Sequence, residues 1–209
     1  MQTNHQTPAL SLRGVSKHFG GVRAVNNVTT DIAYGERRLF IGTNGAGKTT
    51  LFNLIAGDLP VSTGSIQLFG KDVTNMPTRK RVKLGMRRTY QTSALFDGLT
   101  VRQNFYLALL GEKKTGSHLN MLVHHRGNPG FEEKIQETAK TVGLEAKLDE
   151  DVSALSHGER RQLEFGLAII TDPQMLLFDE PAAGLSAEER KMMLQMIQSL
   201  SRDITIVMI

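Results

Sequence analysis

The stretch GTNGAGKT, residues 42–49, constrains this chain more than any other. It fills every fixed position of the pattern G-x-x-x-x-G-K-[ST]. Before it stands RRLFIG, a short apolar run suited to an inner parallel strand. After it comes LFNLIAG, which has helical spacing and a stop at Gly57. Strand, glycine loop and helix in that order curve backbone N–H groups around a phosphate, because glycine permits conformations and close approaches that a side chain blocks. Lys48 supplies a cation for the outer phosphate oxygens, and the Thr49 hydroxyl a ligand for Mg2+. The candidate nucleotide-binding residues are Gly42, Thr43, Asn44, Gly45, Ala46, Gly47, Lys48, Thr49 and Thr50.

The rest of the chain has the punctuation of an α/β protein. LSLRGVSKHFG and AVNNVTTDIAYGE alternate apolar and polar residues and end in glycine turns, as half-buried strands do. GSIQLFGKDV reads as another strand and turn. Between about 92 and 150 the character becomes helical, in VRQNFYLALL and FEEKIQETAKTVG, around a loose segment GEKKTGSHLNMLVHHRGNPG. The strand MLLF, the turn DEPAAGLS, the helix AEERKMMLQMIQSL and the strand ITIVMI close the chain. Ser186 and Glu189 have capping-box spacing at the start of that helix. Alternating strands and helices predict a mostly parallel sheet wrapped in helices. The 209 residues, 40% of them hydrophobic, are enough for a sizeable core. With no cysteine there is no disulfide framework and no thiolate metal site. MQTNHQTPALSLRG has no apolar core or small-residue cleavage pattern, so no signal peptide is expected, and no apolar run approaches membrane-spanning length.

Two more stretches carry chemistry. MLLFDE, residues 175–180, puts Asp179 at the carboxyl end of a buried strand, where it reaches Mg2+ through water, and places Glu180 to polarise an attacking water. LSHGE, residues 155–159, looks like a helix start facing an anion. One chain cannot easily fold Ser156 back over a nucleotide held by Lys48. In a head-to-tail pair, by contrast, Ser156 and Gly158 of one copy would cap the nucleotide of the other. An ordinary N-cap by Ser156 is the other reading of the same residues.

In this order the motifs resemble those of the ATP-binding subunits of ABC transporters over roughly residues 9–209. GTNGAGKT resembles the Walker A loop, MLLFDE the Walker B strand, LSHGE the signature motif and PAAGLS the D-loop. Gln91 in RRTYQTSALF matches the Q-loop glutamine, which the resemblance implies touches Mg2+ or the attacking water and borders the permease contact. Phe19 in SKHFGG stands where the family stacks an aromatic ring on adenine; a core phenylalanine is the alternative. The implied fold is an α/β P-loop NTPase, RecA-like, with an N-terminal antiparallel β part and an inserted helical subdomain. The implied division is 1–91, 92–165 and 166–209. ATP and Mg2+ are the implied ligands, with Ser156, His157, Gly158 and Glu159 capping a partner's nucleotide. KHFGGVRAVNNV, RRTYQ and LSHGERRQLE are similar to the branched-chain amino-acid uptake group, whose relatives also serve urea or short amides. The resemblance implies a second ATPase subunit, identical or paralogous, two membrane permeases and a separate solute-binding protein. It also implies a cytoplasmic location, peripheral to the inner face of the membrane.

The departures are Thr43 for a common proline, His157 for a glycine in the signature, and Ser186 for an aspartate in the D-loop. The family continues past TIVMI to a switch histidine, and none of the six histidines stands there, so the chain reads as truncated and is expected to bind ATP but turn it over slowly. The rival is a non-transport ABC protein acting on DNA or the ribosome through the basic stretch TRKRVKLGMRR, 78–88. That stretch has no interleaved aromatics, reads better as a solvated helix face, and no nucleic-acid partner is expected. A P-loop kinase or GTPase leaves LSHGE unexplained. His118, His124 and His125 read as loop residues, and Met192, Met193 and Met196 as packing residues.

Overall fold

The computed structural model describes residues 7–89, 95–112 and 129–209. They form two compact units. One takes in the described chain up to Arg88, Gln174–Glu180 and Ser201–Ile209; the other takes in Thr89–Pro173 and Pro181–Leu200.

The first unit holds two sheets. β1 (Leu10–Phe19) pairs antiparallel with β2 (Val22–Ile32) on one side and with β4 (Thr63–Leu68) on the other. The short β5 (Lys71–Asp72) completes the order β2-β1-β4-β5. The second sheet has the order β3-β8-β7-β6, from β3 (Arg37–Leu39), β8 (Thr205–Met208), β7 (Met175–Phe178) and β6 (Met86–Thr89). β8 runs parallel to both β3 and β7. All four residues of β7 are buried, as expected of an inner parallel strand covered on both faces. α1 (Lys48–Ala56) buries Phe52, Leu54 and Ile55 in one core that also takes Leu10, Leu12 and Ile66 from the first sheet and Met175, Leu177 and Val207 from the second.

The basic stretch differs from its expected solvated face. Only Thr78–Val82 is helical (α2), and β6 begins at Met86. Arg81 is 1% exposed. Its guanidinium donates to the carbonyls of Leu54 (2.8 Å), Ile55 (2.7 Å), Met76 (2.8 Å) and Thr74 (3.2 Å), closing the C-terminal end of α1. Burial lowers its pKa from the usual arginine value. Arg79, Lys80 and Lys83 are exposed.

The second unit is helical: α3 (Val101–Glu112), α4 (Pro129–Val142), α5 (His157–Ile169) and α6 (Ala187–Ser199). Phe105 of α3 packs so closely on α5 that a Cβ at Gly166 would lie 2.7 Å from its ring, which would have to shift to admit one. Arg102 ties α3 to Glu132 and Asp149, and Lys134 pairs with Asp172. Met193 and Met196 are buried, whereas Met192 is 45% exposed and accepts a hydrogen bond from Gln162 on its sulfur. Among the described residues no helix is long and apolar enough to cross a membrane.

Candidate functional site

The 42–49 loop leaves β3, whose continuation is fastened by the Phe40 N–H donating to the Met208 carbonyl (2.8 Å). It runs exposed to the start of α1. Gly45 and Gly47 lie at φ +80° and +85°, the left-handed region. Around Gly45 there is open space, but a Cβ at Gly47 would stand 2.0 Å from the Ala24 carbonyl oxygen. The turn is closed by the Ala46 N–H donating to Thr43 O (3.1 Å). Lys48 Nζ folds back over the loop and donates to the carbonyls of Gly42 (2.7 Å) and Thr43 (3.0 Å). α1 starts without a side-chain cap and with no acidic residue in its first turn. That leaves its positive end to an anion. Thr49 is exposed on this turn.

Asp179 follows β7 directly and is 4% exposed. Its Oδ2 accepts from the Arg88 guanidinium at 2.6 Å, while Oδ1 is buried and has no hydrogen-bond partner among the described residues. A buried carboxylate oxygen left in that state is costly, which marks it for a ligand. Glu180 is exposed and has φ +47°, strained for a residue other than glycine; its N–H donates to Ile209 O (3.2 Å). Phe19 ends β1 half-exposed, with Lys17 Nζ 5.2 Å from its ring centroid. Gln91, and with it His118, His124 and His125, lies outside the described residues.

In the second unit the LSHGE stretch opens α5. Ser156 Oγ accepts from the Glu159 N–H (3.3 Å), and the Glu159 carboxylate accepts from the Ser156 N–H (2.8 Å), a complete capping box. Those bonds and Lys147, 3.0 Å from Glu159, hold the Glu159 carboxyl below its usual pKa. Ser156 and His157 are exposed. Gly158 is buried: a Cβ on it would lie 2.1 Å from Glu189 Oε1. Glu189 closes the same kind of box with Ser186 at the head of α6.

The ABC transporter family profile matches residues 25–183. The chain belongs to the ABC transporter family. The high-affinity branched-chain amino acid transport ATP-binding protein LivG of Escherichia coli is 34% identical over 196 residues, 92% of this chain and 77% of the relative. The spermidine/putrescine import ATP-binding protein PotA of Bacteroides fragilis is 32% identical over 206 residues, 99% of this chain and 41% of the relative. The crystal structure of an ATP-binding cassette of an ABC transporter in its ADP conformation superposes with a TM-score of 0.81 at 28% identity, covering 97% of this chain and 81% of its own. The α/β P-loop NTPase fold expected from the sequence is thus the fold observed. This ABC chain is an ATP-binding subunit of a family whose members hydrolyse ATP and work with membrane permeases.

The residues present fit a nucleotide with Mg2+. The left-handed turn at Gly45 and Gly47 leads into an uncapped helix start at Lys48, and the buried Oδ1 of Asp179 is the kind of hard oxygen donor that hydrated Mg2+ takes. Sequence reading missed Arg88. It assigned that residue to a basic surface run, yet the side chain is 5% exposed and reaches Asn53, Asp58 and Asp179. Strand alternation was the available signal, since Arg88 falls on the same face as the buried Met86.

Proposed function

We propose that this chain is the ATP-hydrolysing subunit of an importer of branched-chain amino acids or related small polar solutes such as urea and amides. The observation that carries the chemistry is the buried Asp179, with one oxygen unpartnered among the described residues, at the carboxyl end of a strand in the same sheet whose β3 leads into the glycine loop. The likeness to LivG carries the cargo class. Lys48 and the loop amides of Gly45, Ala46 and Gly47 grip the β- and γ-phosphates, and Phe19 supports the adenine. Thr49, Asp179 and Gln91 would hold Mg2+, which when bound offsets the charge that builds on the phosphate oxygens. Glu180 orients water: the water oxygen bonds to the γ-phosphorus, the bond to the ADP oxygen breaks, and the Glu180 carboxylate takes the proton.

In this reading Ser156, His157, Gly158 and Glu159 of a second ATPase subunit close over the γ-phosphate, and ATP joins the two subunits until hydrolysis releases them. The motion drives membrane permeases fed by a separate solute-binding protein, and the chain sits in the cytoplasm against the membrane. Likeness to PotA supports polyamines as a second cargo class with the same ATPase chemistry. The burial of Arg81 and Arg88 removes two cations from any nucleic-acid contact by residues 78–88.

Glu180→Gln removes the proton acceptor and a repelling charge while keeping the contacts. Light scattering on that variant should show a monomer becoming a dimer when ATP is added without Mg2+. A variant that hydrolyses ATP at the parent rate would remove Glu180 from its role. A monomer that binds ATP and never pairs would remove the identical-partner form of the closure.

A further inference from the structure

Among the described residues, the buried Arg88 guanidinium donates to Asn53, Asp58 and Asp179 side chains. Nη2 donates to Asp179 Oδ2 (2.6 Å); Nη1 donates to Asn53 Oδ1 (2.6 Å) and to Asp58 Oδ2 (3.1 Å). The plane lies 5.8 Å from the centroid of the Phe52 ring. The fork therefore joins two elements of the first unit: the end of β7, through Asp179, and α1, through Asn53. Asn53 follows Thr49 by four residues, so the two share a face of α1. One rigid group thus links the face that bears the Thr49 hydroxyl to the carboxylate beyond β7. A planar, always-charged fork does this with fixed geometry, whereas a lysine ammonium is a single point charge.

We propose that Arg88 is a positioning residue for the magnesium ion of the ATP complex. It ties down Oδ2 of Asp179 and so fixes which oxygen, Oδ1, is left for the metal's hydration shell. It also compensates the buried charge of Asp179 when no metal is bound. This rests on the nucleotide reading above.

The test compares metal binding with nucleotide binding. Mn2+ titrated into the full chain with saturating ATP is followed by electron paramagnetic resonance, and ATP affinity is measured separately in EDTA. Arg88→Lys, which keeps the charge and loses the fork, should weaken Mn2+ about tenfold and leave the EDTA affinity within about twofold. Asn53→Ala, a mild change in a helix, should weaken Mn2+ in the same direction by less, and it decides the matter if Arg88→Lys does not fold. Unchanged Mn2+ affinity in a folded variant overturns the proposal. Equal losses with and without metal also overturn it, since a general structural role would produce them. A parent chain that binds no ATP overturns the nucleotide reading itself, and this inference with it.

Discussion

The heads of α1 and α5 were both candidates for a phosphate, and they are built in opposite ways. α1 begins at a left-handed glycine, has no side-chain cap and no acid in its first turn, and starts with Lys48. α5 begins with a serine whose oxygen already serves the Glu159 N–H, and with a glutamate that already serves the Ser156 N–H. α6 repeats the second design through Ser186 and Glu189. An uncapped turn offers its N–H groups to an external anion, whereas a capping box fills the turn with the chain's own carboxylate. One head is therefore a ready binding surface by itself, and the other is stable without a ligand. A phosphate reaching Ser156 meets a hydroxyl whose oxygen is engaged but whose proton remains to be donated. In the proposed pairing, that proton is what Ser156 would offer to a site built elsewhere.

The sharpest way to break the comparison is at Gly47. Gly47→Ala places a methyl 2.0 Å from the Ala24 carbonyl oxygen at a φ that alanine resists. Overpacking and left-handed strain together should cost about 4 kcal/mol of stability, read by denaturant unfolding. Gly158→Ala also meets an atom, but that atom belongs to a side chain, the capping Glu189, so the loss there should be smaller, about 1 kcal/mol, the worth of one helix cap. Equal losses would mean that the two glycines serve the same purpose. Next is Lys48→Ala. Losing a charged donor to phosphate should weaken ATP by about a hundredfold, near 3 kcal/mol, in calorimetry, with the melting temperature little changed. Retained affinity would remove Lys48 from the cradle. Ser156→Ala and Ser186→Ala sharpen the comparison further, for each loses an N-cap worth about 1 kcal/mol. Both should lower stability alike, but only Ser156→Ala should also weaken ATP-dependent pairing of the Glu180→Gln chain. Equal effects on pairing would reduce LSHGE to a helix cap.

These differences also show what could be read from the sequence. The loop, the apolar β7 run and the Ser186 capping box were legible because each is local: its residues lie within a few positions and its chemistry depends on backbone geometry. Arg81 and Arg88 were not. Of their partners, Leu54, Ile55, Asn53 and Asp179 lie between 26 and 91 residues away in sequence. A cationic run with unseen partners looks like a solvated face. Gly158 misled in a milder way, because spacing predicted its place at a helix start but not the Glu189 carboxylate against it.

The smallest expected effect concerns the two closed helix heads and pH. Bonds from the Ser156 backbone and then Lys147 hold Glu159 below its ordinary value of 4.5. The Ser186 backbone N–H, then its hydroxyl, does the same for Glu189, with His157 adding a weaker pull. A group whose folded pKa lies below its unfolded one contributes stability above the unfolded value. The contribution is lost as pH falls from about 4.5 through the folded pKa. Asp31, Asp72 and Asp149 are shifted the same way, so the parent's acid decline has several sources and only differences are informative. Glu159→Gln and Glu189→Gln should each lower the melting temperature near neutral pH and draw level with the parent as the pH drops below that range. The gap should be wider for Glu159, which has a lysine partner, than for Glu189, which has none among its strongest contacts. A gap that stays constant with pH would mean that the carboxylates act through packing, and that the two heads are closed by shape instead of charge.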